Sequence, residues 1–152
     1  KNLRGTVVRF FNTVGPRQTG QFGMVLPRFV KAALNGEPVR VFGSGKQTRC
    51  FCHVFDTIRA LRGLAGNENA YGCIYNRLHA EHYEEELAHL VIRELGSDSG
   101  VEFIPYDKAY ESGFEDMLHR APDCTAIGEL LGWKAEIPLE QIIRDVAKTT
   151  EK

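Results

Sequence analysis

The sequence predicts an α/β fold in which short parallel strands alternate with helices. Three observations carry that expectation. Thr6 to Phe11 is an apolar and β-branched run broken only by Arg9, the pattern of a strand buried on both faces of a parallel sheet. Residues 49 to 75 repeat the order strand, helix, strand. Apolar residues then recur at helical spacing, most regularly at Leu139, Ile142, Ile143, Val146 and Ala147.

Asn12 stands at the carboxyl end of the first strand, and the loop Thr13 to Gly23 after it holds three glycines and Pro16. Met24 to Leu34 returns to helical spacing, with Pro27 in the first turn, where proline is tolerated, and Asn35-Gly36 as a stop. Val39 to Phe42 and Arg49 to Val54 read as two short strands across the tight connection Gly43-Ser44-Gly45-Lys46. In the second of these, Cys50 and Cys52 point to one side and His53 to the other. Asp56 is placed to cap a helix whose apolar stripe is Ile58, Leu61, Leu64 and Ala65, ended by Gly66 before a short buried strand, Cys73 to Tyr75. Residues 84 to 95 form a helix with Leu87, Leu90, Val91 and Leu95 inward and Gly96 after it; Val101 to Ile104 is a further strand. Asp123 to Leu131 and Leu139 to Ala147 close the chain as helices, the last preceded by Pro138.

The 152 residues are 43% apolar and 26% charged, enough for one domain with a real core, and no linker, repeat or low-complexity tract divides residues 1–152. With 19 basic and 20 acidic residues the net charge is -1, so no overall field favours nucleic acid or an anionic membrane, and any anion site is local. No apolar run approaches membrane-spanning length and Lys1 to Gly5 has no signal pattern, from which a cytoplasmic location is expected. Four cysteines, Cys50, Cys52, Cys73 and Cys124, are too few for a disulfide scaffold and lack zinc spacing; they read as small reduced apolar residues.

Gly43-Ser44-Gly45-Lys46-Gln47-Thr48 is not a nucleoside-triphosphate loop, because Arg40 and Gln47 stand where glycine and Ser or Thr are required and a strand follows instead of a helix. Arg49 and Arg120 are the arginines suited to a diphosphate, since a guanidinium fork binds two oxygens at once and stays charged when partly desolvated. Spacing alone equally allows each an ion pair. Asn12 fits the rule that ligands sit outside the carboxyl ends of parallel strands, and also fits a simple turn. Asp123 suits a helix cap, and Glu84-Glu85-Glu86 a solvated helix start favoured by the helix dipole.

Four collinear blocks then identify a family. They are Arg9-Phe10-Phe11-Asn12-Thr13-Val14-Gly15-Pro16-Arg17, Val39-Arg40-Val41-Phe42-Gly43, Gln47-Thr48-Arg49-Cys50-Phe51-Cys52-His53-Val54, and Gly113-Phe114-Glu115-Asp116-Met117 leading to Arg120-Ala121-Pro122-Asp123. Nearly the whole chain resembles the carboxyl-terminal half of the extended short-chain dehydrogenase/reductases that act on nucleotide sugars, the NAD-dependent epimerase/dehydratase family that includes UDP-glucose 4-epimerase and UDP-glucuronate decarboxylase. The resemblance implies the last strands of a partial Rossmann-type parallel sheet plus a small α/β substrate-binding lobe. It also implies that Asn12 contacts the sugar or diphosphate, that Val41 and Phe42 embrace the nucleobase, that Arg49 and Arg120 bind the diphosphate, that Asp123 lies near the ribose, and that Pro16 lies where the cofactor's nicotinamide end approaches. One departure follows Ile74-Tyr75-Asn76, where the family's Ile-Gly and polar turn are replaced by Arg77-Leu78-His79-Ala80-Glu81-His82-Tyr83.

The family's reaction is a transient hydride transfer to NAD assisted by a tyrosine and a lysine. Neither the glycine fingerprint nor a Tyr-x-x-x-Lys pair occurs in these residues: Tyr71, Tyr75, Tyr83, Tyr106 and Tyr110 all lack lysine at the fourth position. The expectation is therefore a nucleotide-sugar-binding part with no catalytic residue and no cofactor bound by this chain alone, NAD being implied for the complete enzyme. A complementary NAD-binding chain or self-association would cover its open strands. A non-catalytic interaction domain of the same fold is the alternative.

Overall fold

The computed structural model describes residues 4–18, 24–76, 81–109, 117–119 and 121–150. Strand β1 (Val7–Arg9) is followed by the two-residue β2 (Thr13–Val14), helix α1 (Val25–Leu34), β3 (Val39–Phe42), β4 (Thr48–Cys50) and β5 (Cys52–His53). Then come α2 (Val54–Leu64), β6 (Ile74–Asn76), β7 (Glu81–Tyr83), α3 (Glu84–Leu95), β8 (Val101–Ile104), the single turn α4 (Tyr106–Ala109), α5 (Thr125–Leu131) and α6 (Leu139–Ala147). No described helix is long and apolar enough to cross a membrane.

Three strand pairs are parallel, as expected: β1 with β6, β2 with β5 and β3 with β8. The fourth, β4 with β7, is antiparallel. Two expectations about strands are corrected here. Val39–Phe42 and the strand after it do not pair with each other; the first lies against β8 and the second against β7, so Gly43 to Lys46 joins two separate ladders. The expected strand Arg49 to Val54 is broken at Phe51, and Val54 already begins α2. Cys50, Phe51, Cys52 and His53 are all buried across that break.

The apolar residues gather into two clusters. The larger joins α1, α3 and α6 under β3, with Leu26, Phe29, Val30, Leu87, Val91, Ile142 and Ile143 at its centre. Here helical spacing was a reliable guide: α6 buries Leu139, Ile142, Ile143 and Val146 in one stripe. The smaller cluster packs α2 and α5 against β6 through Ala60, Leu64, Tyr75 and Ile127. Gly96 ends α3 in the left-handed conformation at φ 58°, which an L side chain resists.

Two faces expected to be buried are open. Val7 is 54% and Ile74 51% exposed, so β1 is covered on one side only, because the described sheet there has two strands and a single layer of helices. On α2, Ile58 and Leu61 of the expected stripe point outward with Phe55, which is 60% exposed, while the helix buries Asp56, Thr57, Ala60 and Leu64. The inward face contains an aspartate because Asp56 has partners there.

Asp56 lies inside the first turn of α2, and His53 is the residue that caps it, its Nδ1 accepting the Phe55 N–H at 3.1 Å. The Asp56 carboxylate accepts the backbone N–H groups of Glu136 and Ile137, both at 3.0 Å, and pairs with Arg59 at 2.8 Å. Its carbonyl accepts the Trp133 indole N–H at 3.2 Å. Arg59 in turn reaches Glu136 and the Lys134 carbonyl, and the hydrogen bond it donates to Glu136 raises its pKa. One buried carboxylate thus ties α2 to the segment that leads into α6.

His53 is fully buried, with Nε2 3.7 Å from Asp145 on α6. Burial lowers its pKa, and the carboxylates of Asp145 and Asp56 only partly oppose this. Asp145 is itself held below the usual carboxylate range by hydrogen bonds from Lys148 and Gln141.

Two measurements follow. Asp56→Ala removes the acceptor of two part-buried N–H groups and the partner of Arg59, and is expected to lower the unfolding free energy by about 2 kcal/mol in urea titration. For His53 the unfolded chain takes up a proton near pH 6.5 while the folded chain resists it to a lower pH. Stability is therefore full above that value and falls as pH drops below it; His53→Asn, which keeps a capping acceptor, flattens the decline in a series of melting curves.

Candidate functional site

Of the expected site residues, Asn12 follows β1, Val41 and Phe42 lie on β3, Arg49 lies on β4 and Asp123 stands at the entry to α5. Asn12, between β1 and β2, adopts φ 20° and donates its side-chain amide to the Cys50 carbonyl at 3.0 Å, while its own carbonyl accepts the Cys52 N–H at 3.2 Å. It fastens the first loop to the break between β4 and β5. Beyond it Gly15 lies so close to Val54 that a Cβ would meet Cγ1 at 2.6 Å, and the half-buried Pro16 follows in a turn. A glycine there lets the loop lie directly on the start of α2.

Val41 and Phe42 are adjacent on β3 but face opposite ways. The Val41 side chain is wholly within the larger core, so any ligand contact it makes is through its backbone. Phe42 is half-buried and the Arg28 guanidinium of α1 lies over its ring at 4.3 Å from the centroid. Gly43, at φ 69°, receives the ring of Tyr106 where a side chain would stand. An aromatic ring with a cation on one face is suited to stacking a planar base on an accessible part of its surface.

Arg49 on β4 is opposite His82 of β7. Its Nε pairs with Glu84 at 3.5 Å, and NH1 donates to the carbonyls of Thr48 and Met117 at 2.9 and 2.8 Å. Only 14% of the side chain is exposed. The ion pair that spacing allowed is thus real, but it is a buried one, with three anchors that fix the plane of the fork.

Glu84 corrects the expectation of a solvated helix start. It is 6% exposed, and its carboxylate also accepts from Gln47 Nε2 at 3.0 Å. The same nitrogen donates to the Phe42 carbonyl at 2.7 Å, so Gln47 links the end of β3 to the Glu84–Arg49 pair. Reasoning from sequence missed Gln47, Glu84 and Arg28. A glutamate in the first turn of a helix needs no further explanation, and only the pairing of β4 with β7 carries it to Arg49.

Asp123 is exposed, and its carboxylate accepts the Thr125 N–H at 2.8 Å and hydroxyl at 2.6 Å, which hold its pKa low. It orders the entry to α5, one residue before the N-cap, Cys124. Arg120 lies outside the described residues, as do His79 and most of the divergent segment after Asn76; Glu81 to Tyr83 of that segment form β7. An open cleft of about 490 Å³ between the Gly45–Lys46 turn, the start of α3 and Leu118–His119 contains none of the expected site residues and carries Glu85 and Glu86 on its wall.

Comparison with known proteins bears on the family and the fold. The model of the NAD dependent epimerase/dehydratase family matches residues 1–76. Over 147 residues the chain is 37% identical to a UDP-N-acetyl-alpha-D-glucosaminuronate decarboxylase of Bacillus cytotoxicus, covering 95% of this chain and 46% of that protein. It is 36% identical over 140 residues to UDP-glucuronic acid decarboxylase 2 of Arabidopsis thaliana, covering 92% of this chain and 30% of that protein. The chain therefore spans less than half the length of these relatives. The solved structure of the Thermotoga maritima UDP-glucose 4-epimerase with UDP-glucose superposes with a TM-score of 0.82 at 28% identity, over 97% of this chain and 46% of that one. A Bacillus cereus UDP-glucuronic acid 4-epimerase in complex with UDP-glucuronic acid and NAD shares the fold, with a TM-score of 0.82 at 21% identity, over 95% and 44%. The α/β fold with its parallel strand pairs is that of these enzymes, and the chain belongs to the NAD-dependent epimerase/dehydratase family.

Proposed function

We propose that this chain supplies the nucleotide-sugar-binding part of an NAD-dependent epimerase, dehydratase or decarboxylase and is not catalytic alone. The observation that carries the reading is the link by which Gln47 ties the carbonyl of Phe42, whose ring carries Arg28, to the buried Glu84–Arg49 pair. An aromatic face receives a nucleobase, and a fixed guanidinium fork receives a diphosphate. Asn12 offers a short polar group at the end of β1, where ligands of parallel sheets bind. Asp123, near the ribose in this reading, and Arg120, a second diphosphate partner, complete the set.

The chain's own residues fit only one edge of the cofactor. Pro16 and the side-chain-free approach at Gly15 present backbone beside the start of α2, and no glycine fingerprint accompanies them to hold a pyrophosphate. In the complete enzyme NAD supplies reversible hydride acceptance, and the residues that hold it belong to a complementary part, on the same or a separate chain. The outward faces support such a part: Val7 and Ile74 on the parallel strand pair, and Phe55, Ile58 and Leu61 on α2. Faces of that kind are covered by more sheet and helix or by a second copy, so an interaction role accompanies the binding role.

Calorimetric titration with UDP-glucose, UDP-glucuronate and dTDP-glucose tests this directly. Binding is expected, and the Arg49→Ala, Arg120→Ala double variant is expected to lose roughly a hundredfold or more in affinity through two lost charge-assisted contacts. Absence of binding at millimolar ligand leaves family membership intact and overturns the binding role.

A further inference from the structure

We infer that Glu84 is a positioning residue that sets how strongly Arg49 grips a diphosphate, an inference that rests on the nucleotide-sugar reading of the site. A carboxylate that is 6% exposed loses most of its hydration, and an ion pair in such a place is often no more stable than apolar side chains of the same volume. Stability alone thus gives little reason for a charge at this position. Its geometry gives a better one. Glu84 is held at both oxygens: Oε2 accepts from Gln47 at 3.0 Å and Oε1 lies 3.5 Å from Arg49 Nε. Gln47 is fastened to the Phe42 carbonyl, so the residue proposed to meet the base and the residue proposed to meet the diphosphate share one buried connection.

That connection has two effects on Arg49. Together with the Thr48 and Met117 carbonyls it fixes the plane of the guanidinium before any ligand arrives. It also sets a full negative charge next to the cation, which opposes an incoming anion. Glu84 therefore exchanges part of the attraction for orientation, and the nucleotide is held in a set direction but released readily.

The two effects separate in different variants. Glu84→Gln keeps an oxygen to accept Arg49 Nε–H and removes the charge. Its amide nitrogen takes the place of Oε2, so the bond from Gln47 Nε2 is given up while the contact with Arg49 is kept. Titration with UDP is expected to give roughly fivefold tighter binding by Glu84→Gln than by the unaltered chain, with a steeper salt dependence. Uridine, which has no phosphate, is expected to bind the two alike; a residue that merely supported the fold would move both ligands together. Arg49→Lys, which keeps the charge but not the fork, is expected to lose about tenfold for UDP and nothing for uridine.

The outcomes are distinguishable. If UDP binds the unaltered chain and Glu84→Gln is folded but binds no tighter, the role of Glu84 is overturned while the nucleotide-sugar reading stands. If Glu84→Gln does not fold, Glu84→Met, which removes the charge at similar volume, decides in its place: UDP binding no tighter than that of the unaltered chain overturns the inference, and tighter UDP binding with uridine unchanged supports it. No UDP binding by the unaltered chain overturns the nucleotide-sugar reading and this inference with it.

Discussion

The Asp56 carboxylate joins two cores that otherwise have little reason to keep a fixed relation. On one side of it α2 and α5 pack with Trp133, and on the other Ile137 leads into α6, which the larger cluster buries. The carboxylate takes the N–H groups of Glu136 and Ile137 and the charge of Arg59, and the adjacent carbonyl takes the Trp133 indole. The part-buried N–H groups of Ile137 and Trp133 would otherwise lose their acceptor, which is costly enough to make the junction specific. His53, three residues earlier, extends the same junction by capping α2 and facing Asp145 of α6.

The site depends on that junction because the break between β4 and β5 lies directly before it. Asn12 is fastened to the Cys50 carbonyl and the Cys52 N–H on either side of Phe51, and Gly15 lies on Val54. Moving α2 would therefore move the loop that follows β1. The other half of the site is held by the larger core, where buried Val39 and Val41 leave Phe42 at the strand end beside Arg28. Glu84, at the start of α3, pairs with Arg49 on β4, and Gln47 ties that pair to the Phe42 carbonyl at the end of β3.

The open faces and the anchored site belong to one description. The relatives are two to three times as long, and the exposed sides of β1, β6 and α2 are where this chain has apolar surface to offer. Burial of such surface is worth about 25 cal/mol for each square ångström, so a matching layer would bind there with appreciable strength. The proposed ligand groups lie at strand ends and do not depend on that layer for their own hydrogen bonds.

Much of this was legible in the sequence. Helical spacing located α1, α3 and α6 and their inward residues, since a 3.6-residue period is a property of local geometry. The blocks around Asn12, Phe42 and Arg49 identified the family. Spacing misjudged α2, because amphipathicity shows that an apolar stripe exists and not what lies opposite it: Asp56 is inside because the 133–137 segment supplies donors, and Ile58 and Leu61 are outside. It also misjudged Glu84. The sequence by itself determined the family, the helices and the residue types available for an anion and a base. Only the tertiary structure decided that β4 pairs with β7, bringing a helix-start glutamate under Arg49, since strand pairing joins residues far apart in sequence by contacts that no local pattern encodes.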